Sequence, residues 1–450
     1  MRYLKDPWLQ IFGFLALASA VLAARGLTAA GARGQIAVSQ PSPQATAAPL
    51  HRTLNPKKAG RWIVDAALAT DADTAKLSEA LANAAAGETI FVRAGTYRAG
   101  APITRDVTLA GLGALRDVVV ESDAEGPTLA VDGAKVAVKN LTIAHSGARP
   151  GKAVEARRAT LELSGVAIRS GPNDEGVDAI GGSATLSYSS VDGGSRGLDA
   201  HDGAKVALDH ARISGAETGV YLQGASARIN DTSFSDGKKG LTVAEQAQAD
   251  VVNGSFAREE VAVWADRGGQ AKVSGAKFPD HAVGVLADER GRAEVKDCEF
   301  SNGSGPALAA ETGGETLDRG SSILRGRTAA RASGKATLGL VDTQIEDAKS
   351  DAVAIDDASA ALSGVKIVRA GGHGLVVGDA QAVRIEKSEI SKNKGAGIYF
   401  RGDQDLALDL DGSRLSGNAG GAIVREQGRR GRLSIRGKNN EPRDPASLIQ

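Results

Sequence analysis

The fold is decided by a stretch of sequence in which one pattern recurs four times without interruption. The copies read GVYLQGASARINDTSF (219–234), GLTVAEQAQADVVNGSF (240–256), AVWADRGGQAKVSGAKF (262–278) and GVLADERGRAEVKDCEF (284–300). Each copy ends with an aliphatic residue that is followed five positions later by Phe, and successive copies lie 22 residues apart. A unit of this length is too short for a helical hairpin, so the pattern predicts short strands separated by turns.

The same pair of apolar residues, five positions apart, extends to both sides of this stretch. A further apolar position, usually next to Gly, precedes each pair. Between residues 311 and 336 the pair is not recognisable, and this segment is expected to be irregular. The pairs outside the four copies are Val138 and Ile143, Leu163 and Ile168, Leu186 and Val191, Leu208 and Ile213, Leu340 and Ile345, Leu362 and Ile367, Ile385 and Ile390, and Leu410 and Leu415.

No single repeat could bury its apolar side chains alone, so the repeats must stack. In a parallel β-helix each repeat forms one coil, and equivalent residues lie on the next coil at the strand spacing of about 4.8 Å. The apolar positions then fill the interior, and the pattern predicts an all-β solenoid of about fourteen coils. Unpaired strand edges remain only at the two ends.

A short helix is predicted over residues 74–86, ahead of the first repeats. Leu77 and Leu81 have helical spacing, Thr74 is a capping candidate together with Asp71 and Asp73, and Gly87 follows the last helical residue. Its position before the strands predicts a cap on the N-terminal end of the solenoid.

Three segments carry a family resemblance. AGETIFVRAGTY (86–97), GVYL (219–222) and GIYF (397–400) resemble the right-handed parallel β-helix proteins, a superfamily that includes pectate lyases, polygalacturonases, alginate epimerases and non-enzymatic periplasmic members. The resemblance covers about residues 74–440. It implies a right-handed, single-stranded parallel β-helix, and the handedness rests on the resemblance alone.

The N-terminal part of the chain has a different composition. Residues 1–24 place Arg2 and Lys5 before an apolar run over 8–24, as in a signal peptide, and the run is short for a spanning helix of about 20 residues. We expect either a cleaved signal or a retained anchor, and therefore a periplasmic or secreted protein that an uncleaved 8–24 would tether to the membrane. Residues 25–60 are predicted to be a flexible linker, 61–440 the β-helix domain and 441–450 a C-terminal tail.

Composition excludes some functions. Lys and Arg number 54, as do Asp and Glu, so the formal net charge is zero, and a nucleic-acid partner is not expected from a chain without basic excess. The single cysteine, Cys298, cannot form a disulfide within the chain and is expected to fill space in the core.

Candidate functional residues follow from strand alternation. If Val177, Leu198, Val220, Leu241, Val263 and Val285 point inward, the residues after them point outward. The two outward columns are then Asp178, Asp199, Tyr221, Thr242, Trp264 and Leu286, and, two residues further along, Ile180, His201, Gln223, Ala244, Asp266 and Asp288. The combination of imidazole, carboxylates, phenol and indole is suited to binding a sugar and moving a proton. Solvated polar ladders with aromatic side chains that only shield the strands are the alternative.

A shorter motif lies in the first column. GLDAHD (197–202) resembles the Asp-Pro-His-Asp signature of mannuronan C5-epimerases, which abstract the C5 proton of a uronic acid in a polymer. The resemblance matches Asp199, His201 and Asp202 to the motif, with His201 as the acid or base. Ala200 stands in place of the Pro, and Arg196 stands where the family has a catalytic Tyr.

These residues divide into two predicted groups. The catalytic candidates are His201, Asp199, Tyr221 from the next coil as the phenol, and Arg196, which could neutralise a substrate carboxylate. The substrate-binding candidates are Asp178, Asp202, Gln223, Trp264 and Asp266.

Three functions are compatible with this sequence. The preferred interpretation is an exported, envelope-associated protein that binds a polysaccharide, expected to be anionic, on the strand face around residues 178–266. The second is a uronate polymer C5-epimerase or lyase that uses His201. The third is a non-catalytic structural or protein-binding subunit with envelope protein partners.

No cofactor is expected, and calcium is an open alternative. Five aspartates recur near strand ends, and hard cations prefer clustered oxygen ligands. Aspartate also favours turns for its own reasons, because it bonds to nearby backbone amides. The five are Asp266, Asp288, Asp356, Asp379 and Asp403.

Overall fold

The computed structural model describes residues 60–147 and 149–442. The predicted signal or anchor, all of the linker except its last residue, and the tail beyond residue 442 lie outside the described residues. Within the described ranges, no helix is long and apolar enough to cross a membrane. The chain forms a parallel β-solenoid, so the predicted fold class is confirmed.

Between residues 127 and 416 each coil contributes one strand to each of three faces, which we name A, B and C in chain order, and the strands before residue 127 lie on faces B and C only. Two long strands, Lys152–Ser164 and Glu175–Ser187, contribute their first part to face A and their second part to face B. The other strands of face A are Pro127–Asp132, Arg196–His201, Thr218–Gln223, Lys239–Ala244, Val261–Asp266, Val283–Ala287, Pro306–Ala310, Thr328–Ser333, Val353–Asp356, Leu375–Val377, Ile398–Phe400 and Ile423–Arg425.

Face B carries the first aliphatic residue of each apolar pair. Its other strands are Arg61–Val64, Glu88–Arg93, Val107–Leu112, Lys135–Lys139, Lys205–Asp209, Ser226–Asn230, Gln248–Val252, Gln270–Ser274, Arg292–Lys296, Glu315–Arg319, Thr337–Val341, Ser359–Ser363, Ala382–Glu386, Leu406–Asp411 and Leu433–Arg436.

Face C is a ladder of 15 short strands, one more than the expected number of coils. A single 3-10 turn, Leu115–Asp117, precedes one of them. The strands are Gly95–Tyr97, Val118–Ser122, Thr142–His145, Ala167–Ser170, Ser190–Gly193, Arg212–Ser214, Ser233–Ser235, Ser255–Ala257, Lys277–Pro279, Glu299–Ser301, Ser322–Leu324, Gln344–Glu346, Lys366–Val368, Glu389–Ser391 and Arg414–Ser416.

The interior is a set of columns in which like residues stack from coil to coil. The four Phe residues of the quoted repeats are fully buried, and neighbouring rings stack with centroids 4.6, 5.2 and 4.4 Å apart. Cys298 is buried in the same interior, as expected. The apolar pairs are five positions apart because one residue belongs to face B, the other to face C, and a corner separates them.

The segment 311–336 is not irregular, and that expectation is wrong. It forms a complete coil in which Asp318 pairs with Val295 on one side and Leu340 on the other. Asp318 therefore occupies the inward position of the aliphatic residue, fully buried, and accepts hydrogen bonds from Ser321 Oγ (2.5 Å) and Thr343 Oγ1 (2.6 Å). A carboxylate in the apolar column hid the repeat from a search for hydrophobic pairs.

The predicted helix is present but shorter, as α1 (Leu77–Asn83). Thr74 belongs to an isolated parallel bridge with Val64, and its side chain accepts a hydrogen bond from the Lys76 N–H (3.1 Å) and donates one to Glu79 (2.7 Å). The buried side of α1 packs on Arg61–Val64 and Glu88–Arg93, the first strands of face B. This is the expected cap position.

Candidate functional site

Face A holds the predicted columns in the predicted register. Asp178 pairs with Asp199, Asp199 with Tyr221, and Tyr221 with Thr242, which in turn pairs with Trp264. In the second column, Ile180 pairs with His201, and Gln223 and Ala244 lead to Asp266. The parallel pairing of successive coils, which carries no register shift here, is what brings residues about 22 positions apart in sequence onto one surface.

The first two members of the column are not exposed, although they point away from the core. Asp178 and Asp199 retain only 1% and 5% of their surface. The Lys152 ammonium group pairs with Asp178 and lies 3.7 Å from Glu175, and the Arg196 guanidinium pairs with Asp199. The two long cationic side chains lie over the carboxylates. A sugar could therefore contact these aspartates only if the cations moved away.

Glu175, Asp178 and Asp199 form a compact group of three carboxylates. One oxygen of each lies within 4.8 Å of the others. Burial raises the pKa of Glu175 against the lowering effect of the nearby Lys152, and the charges of Asp199 and Asp178 raise it further. The group has the oxygen ligands that a divalent cation prefers, but Lys152 and Arg196 already supply its positive charge.

His201 lies at the edge of this group and lines a small cleft. Its Nε2 is 3.3 Å from Asp178 Oδ1, and its Nδ1 is 3.2 Å from Asp202 Oδ2. The cleft has a volume of about 270 Å³ and is completed by Gln223, Gly224 and Glu245. The imidazole is thus held between a buried and an exposed carboxylate while 31% of its side chain remains accessible.

The two aromatic side chains of the column are covered by cations. The Arg196 guanidinium lies 4.3 Å from the centroid of the Tyr221 ring, and Lys239 Nζ lies 3.9 Å from that of Trp264. Arg267 donates a hydrogen bond to the Tyr221 hydroxyl (3.2 Å). These contacts are cation–π interactions, and they occupy ring faces on which a sugar would otherwise stack.

Polar groups without partners lie between the two rings. Among the described residues, Thr242 Oγ1 and Trp264 Nε1 are buried atoms that make no hydrogen bond. Lys239 has no carboxylate within ion-pair distance in the same part of the chain, and burial lowers its pKa. A buried N–H or O–H without a partner is costly, and neither atom is accessible to solvent.

The catalytic candidates do not converge on one point. His201 contacts Asp178 and Asp202, whereas Asp199 pairs with Arg196. Among the described residues no hydrogen bond or ion pair joins His201 to Asp199 or to Tyr221. Arg196 is engaged with both of the other candidates, Asp199 and the Tyr221 ring, and is not free to receive a substrate carboxylate without releasing them.

Of the substrate-binding candidates, Asp266 is buried beside Arg267, while Gln223 donates to Glu245 (2.7 Å) at the cleft. Asp202 contacts His201, Lys239 lies over the Trp264 ring, and Lys152 covers Asp178.

Sequence reasoning missed a third outward column on face A. In this column Lys152, Glu175, Arg196, Thr218 and Lys239 pair in series, three residues before the aspartate column. Strict alternation from Asp178 points to Gly176 as the next outward position, so periodicity did not identify this column or show that its long side chains fold over the neighbouring one.

Of the five aspartates near strand ends, Asp356 and Asp379 act as turn residues. Asp356 accepts a hydrogen bond from the backbone N–H of Asp379 (3.3 Å), and Asp379 accepts one from that of Asp403 (2.6 Å). Each carboxylate thus bonds to the turn of the next coil, which accounts for the recurrence of Asp at this position.

Comparison with known proteins identifies the fold. Residues 261–429 match a family model described as "Right handed beta helix region". The fold is the right-handed β-helix. No curated protein matches this β-helix in sequence.

Several solved structures resemble the β-helix at low sequence identity. One is the periplasmic alginate epimerase AlgG, 11% identical, with 61% of this chain and 76% of that chain covered and a TM-score of 0.46. A second is the A-module of the mannuronan C-5 epimerase AlgE6 of Azotobacter vinelandii, at 14% identity, 80% and 92% coverage and a TM-score of 0.35. A third is a mannuronic-acid-specific polysaccharide lyase from human gut microbiota. It is 12% identical, with 78% of this chain and 86% of that chain covered and a TM-score of 0.38. At these identities the similarity extends to the fold alone.

Proposed function

We propose that this β-helix is an exported, envelope-associated protein that binds a polysaccharide along face A. The observation that carries the proposal is the position of Lys239 over the Trp264 ring on face A, where the cation has no carboxylate within 4.0 Å among the described residues. A uronate carboxylate would supply the charge opposite Lys239. The apolar run over residues 8–24 supports export.

Binding measurements with matched lysine variants test this proposal. Lys239→Met retains the side-chain stem over Trp264 but removes the charge, while the neighbouring Lys238 pairs with Glu217 (2.8 Å) on the exposed surface and serves as the control in Lys238→Met. Isothermal titration against alginate, pectate and a neutral glucan is expected to show about tenfold weaker binding of an acidic polymer for Lys239→Met, a loss of about 1.4 kcal/mol, and no change for Lys238→Met. Equal affinities of the two variants, or no binding by the unmodified protein, would refute the proposal.

A catalytic role is the second candidate, and the position of His201 favours it. An imidazole between two carboxylates, at the edge of a cleft, is an arrangement suited to general acid–base chemistry. In this scheme His201 takes the C5 proton of a uronate. Return of a proton to the opposite face gives the epimer, whereas cleavage of the C4–O bond gives an unsaturated product.

The two candidate functions separate in one set of assays. Incubation with alginate and pectate, with and without calcium, is followed by NMR for epimer ratio and by absorbance for the unsaturated product. The catalytic proposal expects turnover that His201→Ala abolishes while polymer binding persists. Absence of turnover on every uronate polymer, together with intact binding, leaves the non-catalytic function.

A further inference from the structure

A second cleft lies on face B and shares no lining residue with the cleft beside His201. It has a volume of about 580 Å³ and spans four coils, from the strand Lys205–Asp209 to the strand Gln270–Ser274. It is about twice the volume of the cleft beside His201. Its lining residues come from two adjacent outward columns, so the cleft runs along the solenoid axis, across the strands.

The sequence creates this cleft by placing small side chains among long ones. In one column Lys205 pairs with Ser226, and Gln248 and Gln270 follow. In the other, Ala207 is followed by Arg228, Asp250 and Lys272. The small Ala207 and Ser226 form the floor, and the long side chains around them form the walls.

Positive charge exceeds negative charge in this cleft. Three cations, Lys205, Arg228 and Lys272, face one carboxylate, Asp250. Among the described residues Lys205 and Arg228 have no carboxylate within 4.0 Å, and Lys272 reaches Glu294 only at 4.0 Å.

Two other cations on face B are paired across coils. Lys135 lies 3.1 Å from Glu162, and Arg292 lies 3.6 Å from Glu315. The cleft thus has an excess of positive charge, in a chain whose overall charges balance.

The hydrogen-bonding groups of the cleft favour a saccharide over a peptide. Gln248 and Gln270 stand one above the other on successive coils, so their amides recur at the coil spacing of about 4.8 Å along the cleft. Primary amides both donate to and accept from hydroxyls. A peptide could not bind by adding a strand, because the backbone groups of the lining strands are already paired with the coils on both sides.

We propose that the face B cleft binds an acidic oligosaccharide whose chain runs along the solenoid axis. Its carboxylate or sulfate groups contact Lys205 and Arg228, and its hydroxyls contact the stacked amides of Gln248 and Gln270. This site is independent of the function proposed for face A, because it lies on another face and shares no residue with it.

The test is titration calorimetry of the full chain with oligogalacturonate and oligomannuronate. The double variant Lys205→Gln/Arg228→Gln is expected to lose at least about tenfold in affinity, and binding by the unmodified protein should weaken as salt is added. The control is Lys277→Gln, a cation on face C that pairs with Glu299 at 3.6 Å. Unchanged thermal unfolding of the double variant shows that it folds.

Three outcomes overturn the proposal. The first is unchanged affinity in the double variant. The second is equal binding of a neutral oligosaccharide of the same length. The third is binding of polyglutamate as tight as that of oligogalacturonate, which would assign the cleft to an acidic peptide. Loss of binding only in Lys239→Met would support the function proposed for face A and refute the face B site. The two proposals can therefore fail separately.

Discussion

At the scale of single residues, buried polar side chains are accommodated by glycines in the neighbouring coil. Glu259 and His281 occupy equivalent positions, three residues after Phe256 and Phe278. A Cβ on Gly237 would lie 2.8 Å from Glu259 Oε2, and one on Gly303 would lie 2.4 Å from His281 Nε2. Each polar side chain therefore uses the space that a glycine leaves at the same corner.

Glu259 makes stability depend on pH. Burial raises the pKa of Glu259 to about 7, from 4.5, and outweighs the lowering effect of the Gly237 backbone hydrogen bond. Because the folded state favours the protonated form, its contribution to stability is full below about pH 4.5 and is lost as pH rises through about 7. Glu259→Gln cannot ionise, so we expect it to be more stable than the unmodified protein above pH 7, by up to about 3 kcal/mol, and equal near pH 4.

Urea unfolding between pH 4 and pH 8 measures this difference. Glu289→Gln is the control, because Glu289 is exposed and should show no pH-dependent difference. A constant difference between Glu259→Gln and the unmodified protein over the whole range would contradict the assignment.

Residue-scale properties were the least predictable from sequence. The alternation of strands placed Asp178 and Asp199 correctly on the outward side of face A, yet both are buried beneath Lys152 and Arg196. The reach of a long side chain over a neighbouring column depends on its rotamer and its partners. The periodicity of the sequence predicts neither of these. For the same reason the cations over Tyr221 were not predicted.

At the scale of the element, one coil shows how much polarity the interior tolerates. Asp318 replaces an aliphatic residue between Val295 and Leu340, and burial raises its pKa against the lowering effect of its hydroxyl donors. From Val138 onward the register of the other coils was predictable because inward residues are apolar and recur at a nearly constant interval. This coil was missed because a carboxylate occupies its inward position, while pairing with the coils on both sides maintains its strand geometry.

The hydroxyl donors to Asp318 determine how much this buried carboxyl group in the apolar column reduces the free energy of unfolding. Thr343→Val removes the donor to Asp318 Oδ2 and leaves a buried carboxyl oxygen without a partner, so we expect a loss of about 1–3 kcal/mol. The double variant Asp318→Val/Thr343→Val removes both polar groups and restores the apolar column of Val295, and it should recover most of that loss.

Chemical denaturation of the two variants and of Asp318→Val alone completes a double-mutant cycle. A double variant whose loss equals the sum of the two single losses would show that the Asp318 and Thr343 side chains do not interact energetically.

At the scale of the whole described molecule, the solenoid offers two separate polar surfaces on one rigid set of ladders. The cleft of face B and the columns of face A both run across the strands, because equivalent residues of successive coils form lines along the axis. The fold, and the residues that share face A, were predictable from the repeat, since both follow from an interval of about 22 residues. The face B cleft was not, because it depends on the contrast between the small Ala207 and Ser226 and the long side chains around them.

The same geometry exposes strand edges only at the ends, and α1 covers the first strands of face B. Leu77 is 1% exposed and packs into the core, whereas Ala82 lies on the outer side of the same helix. Leu77→Asp should release α1, lower the free energy of unfolding by about 2–5 kcal/mol and free the edge for end-to-end association, because unpaired parallel edges template further pairing. Sedimentation velocity is then expected to show concentration-dependent oligomers for Leu77→Asp and a monomer-sized species for the matched variant Ala82→Asp. If both variants sediment alike, the edge does not depend on α1 for protection, and the helix contributes packing to the core without guarding the end of the ladder.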